Sequence, residues 1–360
     1  MARDAGDRAG STGKRVTLTQ VAERAGVSVS AVSFVMNGRT DQRLSSETQE
    51  KVRRAAADLG YRPNRMARAL RTGQSGTVAF VSDFVSSTSF ANTMVRGAIT
   101  ELRERDQLLF AVDTQGDAEL EKRLLQNLLD RQVDGVIYAS MFTRQLSVPP
   151  VLRQLPYVLL NCIDDPLSAP AVVPDEVEAG RTAARLLLDA GHGDRVVFVG
   201  TFRRGQVGGA AWHGWAPIAL TDRLSGIRAE MSDAGRSLAA TVDVEVDWDI
   251  EHGREAVGRL IAEGPLPTAL VCVNDAVALG AVQALHAAGH RVPEDVSIVS
   301  FDGSVLTDVG EPSITSVALP HAELGAIAVR LLRDDTAAPG ETRVSMPVKP
   351  GHSITAPRAD

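Results

Sequence analysis

Cysteine is scarce: only Cys162 and Cys272 occur in 360 residues, each inside an apolar run, LLNCI and ALVCV. Two such thiols behave as small hydrophobes and cannot supply a disulfide framework or a structural zinc site. Long apolar runs are missing too. No stretch approaches the ~18 uninterrupted apolar residues of a membrane helix, and the opening Met1-Ala-Arg-Asp-Ala-Gly-Asp-Arg has no apolar centre for a secretory signal. A cytoplasmic protein without membrane contact is the expectation. Also absent are G-x-G-x-x-G after a strand, G-x-x-x-x-G-K-[ST] and G-x-S-x-G, so dinucleotide, P-loop and hydrolase chemistries find no anchor. Gly205-Gln-Val-Gly-Gly is too irregular to count, and His286 and His290 have Gly289 between them at a helix end, against a zinc site. No enzyme activity, cofactor or metal is expected.

What is present is a 44% apolar chain with room for two or three domains at ~150 residues each. Its charge is unevenly spread. Residues 1–73 carry 14 Lys and Arg against 7 Asp and Glu, whereas the remainder carries 24 against 38. A basic module on an acidic body points to an anionic partner for the small piece, nucleic acid first, with a solvated charged face as the alternative.

Residues 1–15 read as a disordered tail. Leu18, Val21, Ala22 and Ala25 then recur with helical spacing behind a Thr17/Gln20 capping box, and Gly26 ends the turn. Ser28 caps a second helix over Val29 to Asn37. Ser46-Glu-Thr-Gln49 reads as another capping box, opening a helix with Val52, Ala55, Ala56 and Leu59 on one face, closed by Gly60. Tyr61-Arg-Pro-Asn64 leads into an Arg-rich segment of about two turns, too short to be stable alone. Thr72 to Gly76 reads as a flexible joint. Beyond it, Val- and Leu-rich runs at 77–82, 108–113, 135–140, 157–161, 195–200, 269–273 and 296–301 alternate with amphipathic helices. That alternation predicts two doubly wound parallel sheets, joined near Val173-Pro174, with ligands at the carboxyl ends of the strands.

Three headpiece blocks, Val16 to Ser28, Ala31 to Asn37 and Leu59 to Leu70, resemble the LacI/GalR transcription regulators. The likeness resumes at Val273-Asn-Asp-Ala-Val-Ala-Leu-Gly, Arg291 to Asp302 and Pro312-Ser-Ile-Thr-Ser-Val. The resemblance implies an α/β protein: a helix-turn-helix headpiece at 16–62, a hinge helix and linker at 63–76, and a periplasmic-binding-protein-like core. The core's N-subdomain is expected at 77–173 plus 304–335 and its C-subdomain at 174–303 plus 336–360.

In such a headpiece the second helix enters the major groove of double-stranded DNA, which implies contacts from Thr17, Ser28, Val29, Ser30, Ser33, Phe34 and Asn37. Relatives often carry arginine where this chain has Phe34, so a guanine contact is missing there. Phe34 either meets a thymine methyl or packs on a neighbouring helix. Asn64, Arg65, Ala67, Arg68 and Leu70 match the hinge helix, with Leu70 at the position of a minor-groove wedge and Arg62 and Arg71 as further phosphate contacts.

In the core, Phe90, Asn161, Arg223, Trp248, Asn274 and Asp302 match effector-pocket positions, implying a sugar or sugar derivative. Asn274 and Asp302 could instead cap helices, and Trp248 could be core. Asp83 and Asp175 are weaker candidates. Leu319 stands where several relatives place glutamine, and Arg203 to Trp215 departs from the family pattern.

Two functions follow from this reading. One is a homodimeric repressor of a carbohydrate operon on a pseudo-palindromic operator, its grip modulated by the effector. The other is a sugar-binding module or sugar-processing enzyme with a vestigial headpiece. The intact hinge favours the first.

Overall fold

The structure, a computed structural model, describes residues 16–36, 44–62, 73–85, 89–201, 218–244 and 248–358. It divides into two compact units, Met1–Ser75 and Gly76–Asp360. The expected tail at 1–15, the hinge segment at 63–72 and the glycine-rich stretch at 202–217 lie outside the described residues.

The first unit holds helices α1 (Leu18–Ala25), α2 (Val29–Met36) and α3 (Ser46–Asp58). Thr17 and Gln20 form the capping box of α1 reciprocally, and Gly26 ends the helix in the left-handed conformation. Ser28 Oγ accepts from Ala31 N at 3.2 Å at the start of α2. The third helix corrects the sequence reading by one residue. Its cap is Ser45, whose Oγ accepts from Thr48 N at 3.2 Å, and Gln49 donates to Leu44 O instead of closing a box. Val21, Ala22, Val32, Val52, Ala55 and Ala56 form the headpiece core.

The second unit contains two six-stranded sheets. The first lobe is built from β1 (Thr77–Ser82), α4 (Ser89–Arg103), β2 (Leu108–Asp113), α5 (Ala118–Asp130), β3 (Gly135–Gln145), β4 (Tyr157–Ile163) and β5 (Pro170–Pro174). The second continues through α6 (Glu176–Asp189), β6 (Val196–Thr201), α7 (Ile218–Asp233), β7 (Ala240–Asp243), α8 (Ile250–Glu263), β8 (Ala269–Cys272), α9 (Asp275–Ala287), β9 (Ser297–Asp302) and β10 (Thr315–Ala318). Then come α10 (His321–Arg333), β11 (Gly340–Val344) and β12 (Val348–Lys349). The strand orders are β11-β5-β4-β3-β1-β2 and β12-β10-β9-β8-β6-β7. All neighbours are parallel except β10 and β12. Strands such as β1 and β8 are buried along their whole length, which is why they read as continuous apolar runs.

The expected lobe boundaries need correction near the end of the chain. Within 304–335, assigned to the first lobe, β10 pairs with β9 of the second sheet, Thr315 opposite Val299. Within 336–360, assigned to the second, β11 pairs with β5 of the first sheet, Gly340 opposite Pro170. β11 is an edge strand, GETRV, exposed over most of its length, so it lacks the apolar signature of the interior strands. The chain therefore crosses between lobes three times: between Pro174 and Glu176, between Ala318 and His321, and between Val344 and Val348.

Two helix crossings set the walls beside these passages. A Cβ at Gly97 of α4 would overlap the Ala322 carbonyl of α10, and one at Gly325 would overlap Met94 O. In the second lobe a Cβ at Gly180 of α6 would overlap Arg223 O of α7, and one at Gly226 would overlap Val177 O. Only glycine permits backbones this close.

Candidate functional site

The carboxyl ends of the parallel strands carry the polar side chains. Asn161 closes β4, Asp302 closes β9, Asn274 follows β8, and Glu176, His321 and Phe90 stand in the first turns of α6, α10 and α4. All six residues singled out from the core sequence line one cavity between the lobes: Phe90, Asn161, Arg223, Trp248, Asn274 and Asp302. It encloses about 590 Å³ of space between atoms, part of it open to solvent. Asn161, Trp248 and Asp302 also have positive φ, at 57°, 43° and 100°. Such conformations are strained outside glycine and persist where the surroundings hold them, as binding sites do.

The second lobe supplies an ionic wall. Arg223 Nε donates to Glu176 Oε2 at 2.5 Å and its Nη2 to Glu176 Oε1 at 3.1 Å. Its Nη1 donates to Val273 O at 2.7 Å, and Asp302 Oδ1 stands 3.6 Å from Nη2. The guanidinium lies over the Phe301 ring, 4.6 Å from its centroid. Both members of the Arg223–Glu176 pair are buried. Burial pulls the Arg223 pKa down, but Glu176 and Asp302 outweigh it and hold it above its ordinary value. Burial pushes the Asp302 carboxyl up to about 7; Arg223 opposes this, while Asp275 and Glu176 add to it. Asp275, buried below, accepts from the hydroxyls of Ser300 and Ser316 and from Ser304 N, fixing the loop after Asp302.

The first lobe supplies an aromatic wall. Phe90 stacks on His321 with centroids 4.9 Å apart and planes at 23°. Burial pushes the His321 imidazole down to about 4, helped by the Arg223 charge, so it is neutral at physiological pH. Phe142 of β3 meets Trp248 edge-on at 6.4 Å, bridging the lobes.

Several side chains carry structural bonds as well. Asn274 Oδ1 caps α9 by accepting from Val277 N at 2.8 Å, and its Nδ2 donates to Trp248 O at 3.0 Å. Asn161 Nδ2 donates to Ser140 O at 2.9 Å and its Oδ1 accepts from Thr143 Oγ1 at 2.6 Å. Trp248 Nε1 donates to Gly200 O at 3.1 Å. The weaker candidates stand outside the lining. Asp83 pairs with Arg144 at 3.0 Å, and Asp175 caps α6 through Glu178 N. Sequence reasoning missed Glu176 and His321. Each follows a lobe crossing and a proline, Pro174 or Pro320, which is the signal that could have found them.

In the headpiece, Ser28, Val29 and Ser30 are exposed at the start of α2, while Ser33 and Phe34 one turn on are half-buried. Thr17 is exposed at the start of α1, with its backbone N–H donating to Gln20 Oε1 at 2.9 Å. Asn37, Asn64, Arg65, Ala67, Arg68 and Leu70 lie outside the described residues. Among the described residues, no group of three His, Cys, Asp or Glu could hold a metal ion, and no helix is long and apolar enough to cross a membrane.

Residues 17–64 match the model of bacterial regulatory proteins of the lacI family, and residues 218–354 match that of the periplasmic binding protein-like domain. The catabolite control protein A of Priestia megaterium is 32% identical over 320 residues, 88% of this chain and 91% of that protein. The ribose operon repressor of Escherichia coli strain K12 is 30% identical over 318 residues, 88% and 92% of the two chains. Among solved structures, the lac repressor dimer bound to operator and the anti-inducer ONPF shares the fold. Its TM-score is 0.77 at 23% identity, with 95% of this chain and all of that one covered. The transcriptional regulator CelR in complex with cellobiose matches with TM-score 0.62 at 28% identity, over 94% of this chain and 100% of that one. The chain belongs to the lacI family of bacterial regulatory proteins: a DNA-binding transcriptional regulator with a helix-turn-helix headpiece and a small-molecule-binding core.

Proposed function

We propose that this regulator represses genes of carbohydrate use and that a sugar or sugar derivative in the cavity between the lobes sets its grip on DNA. The observation that carries the reading is the convergence of hydroxyl-binding groups on aromatic faces. Arg223, Asp302, Asn161 and Asn274 surround a space walled by Trp248, Phe142 and Phe90, the combination that holds a hydroxylated ring. Relatives named for ribose operons and a neighbour complexed with cellobiose support the class. The cavity is read as a binding site and not as a catalytic one. A repressor acting on chromosomal DNA works in the cytoplasm.

On DNA, Ser28, Val29, Ser30, Ser33 and Phe34 face the major groove, with Thr17 and Asn37 on the flanking backbone. Asn64, Arg65, Ala67, Arg68 and Leu70 form the hinge, and Leu70 wedges into the minor groove of a kinked operator. The protein binds as a homodimer, whose two-fold axis matches the pseudo-palindrome. Effector binding changes the lobe arrangement and with it the hinge, so operator must in turn alter effector affinity.

Selection of bound genomic fragments by the purified full-length protein, with and without a panel of monosaccharides and disaccharides, tests this. The expected result is a short palindrome with a central pyrimidine–purine step, lost with Leu70→Ala and shifted by one sugar. Weak, sequence-blind binding indifferent to Leu70 sinks the repressor reading and leaves the core as a binding protein or enzyme.

A further inference from the structure

We propose that the effector is an uncharged polyhydroxyl compound, and that Glu176 makes the pocket reject its phosphorylated and carboxylate forms. The inference rests on the reading of the cavity as a sugar site and adds the charge of its occupant.

Arginine recognises a phosphate or carboxylate through a two-donor fork, formed side-on by Nε with one Nη or end-on by the two Nη groups. At Arg223 the side-on fork is filled, and protein oxygens stand against both Nη groups. Nε and Nη2 both donate to the Glu176 carboxylate, and Nη1 donates to Val273 O. Asp302 Oδ1 stands 3.6 Å from Nη2 on the remaining side. The cation is thus turned inward, onto protein acceptors, and what its outer edge offers a ligand is single N–H donors.

Arg223 is also the only Lys or Arg among the described residues that line the cavity, whereas Glu176 and Asp302 both line it. His321 is the remaining titratable group, and its imidazole is buried against Phe90. Among the described residues the lining therefore carries two acidic side chains against one basic one, and the base is already paired. A phosphate entering here would lose water, find the side-on fork of Arg223 occupied, and lie beside the Glu176 carboxylate and the acidic Asp302 side chain. Like charges in a partly buried site repel by several RT at ~5 Å separation.

A hydroxyl meets the opposite situation. Asp302 accepts from it, the outer N–H groups of Arg223 donate to it, and no net charge has to be buried. Glu176 thereby acts as a specificity residue without itself needing to touch the effector: it holds the Arg223 fork and contributes the second negative charge.

The test is calorimetric titration of the full-length protein with matched probes: D-ribose and D-ribose 5-phosphate, D-glucose and D-glucose 6-phosphate, cellobiose and cellobiose 6-phosphate. The expected result is that one neutral sugar binds at least ~30-fold more tightly than its phosphate. Glu176→Gln should shrink that ratio by tenfold or more, because it removes charge while keeping the side chain's size. A merely structural role for Glu176 would lower both affinities together and leave the ratio unchanged. Should Glu176→Gln fail to fold, Asp302→Asn, titrated at pH 8 where the Asp302 carboxyl is ionised, is expected to move the ratio in the same direction. A phosphate that binds as tightly as its neutral partner, or a ratio insensitive to both variants, overturns the charge assignment while the carbohydrate reading stands. Failure of every neutral sugar and every phosphate to bind, with operator binding intact, overturns the carbohydrate reading and this inference with it.

Discussion

The two walls of the cavity are built by one device and given opposite chemistry. In the first lobe α4 and α10 cross at Gly97 and Gly325; in the second α6 and α7 cross at Gly180 and Gly226. Each crossing brings helix residues into the cavity. The first delivers the Phe90–His321 stack, and the second delivers the buried Glu176–Arg223 pair. The scaffold decides where the side chains stand, and the identities of a few residues near the helix starts and on α7 decide what they recognise. A neutral aromatic face opposite a charged, hydrogen-bonding face is a receptor for a ring with hydroxyls on its rim.

The walls should differ most in what it costs to truncate them. Arg223→Met keeps an unbranched side chain but leaves the Glu176 carboxylate, fully buried, without its partner. Breaking a buried pair from one side costs ~3–5 kcal/mol. The aromatic wall has no such liability, and Phe90→Leu should cost under ~1.5 kcal/mol. Urea unfolding of both variants measures the contrast. Removing the ion pair from both sides, Glu176→Leu with Arg223→Met, should recover most of the loss, since an apolar pair of similar volume is often neutral or better. Equal losses for Arg223→Met and Phe90→Leu would mean that the second wall is not held by its charges.

A smaller effect separates the crossings themselves. Gly97→Ala and Gly180→Ala each force a methyl into a facing backbone carbonyl, and overpacking of this kind costs ~1–3 kcal/mol. The consequences should be local. Gly97→Ala should speed amide exchange in α4 and α10, and Gly180→Ala in α6 and α7. Loss of protection in both lobes from either change would show that the walls are one cooperative unit.

The same contrast explains how much could be read beforehand. Interior strands such as TVAFVS and ALVCV announce themselves because both faces are covered. The edge strand GETRV does not, because pairing on one side and exposure elsewhere leave it polar. Hence the apolar pattern alone misplaces the lobe boundaries after residue 304. At the site, resemblance points to one member of each wall's central pair, Phe90 and Arg223, but not to the partners His321 and Glu176. Asn274 reads equally well as a ligand or as a helix cap, and its amide caps α9 while lining the cavity. Glu176 is invisible for a physical reason: an acid in a first helical turn is what any helix N-terminus favours, so nothing marks it as the partner of an arginine 47 residues away. The capping-box pattern points to Ser46, with Gln49 three residues on, whereas Ser45 caps α3 without a box, through Thr48 N.

The most telling difference is in titration. His321 has a folded pKa of about 4 against 6.5 when free. The fold favours its neutral form, so its contribution to stability is complete above pH 6.5 and is lost as pH falls through 4. Asp302 has a folded pKa of about 7 against 3.8. The fold favours its protonated form, so its contribution is complete below pH 3.8 and is lost as pH rises through 7. Across the shared window the aromatic wall strengthens with rising pH while the ionic wall weakens, and in the intact protein the two slopes offset each other. Single variants should unmask them. Relative to the parent, His321→Leu should lose stability as pH rises from 4 to 6.5, and Asp302→Asn should gain it, each by up to ~3 kcal/mol over the window. Difference curves from urea unfolding at successive pH values cancel the contributions of all other groups. If both variants shifted with the same sign, the walls would not be electrostatic opposites, and the pairing of a neutral imidazole with a protonatable carboxyl across the cavity would have to be abandoned.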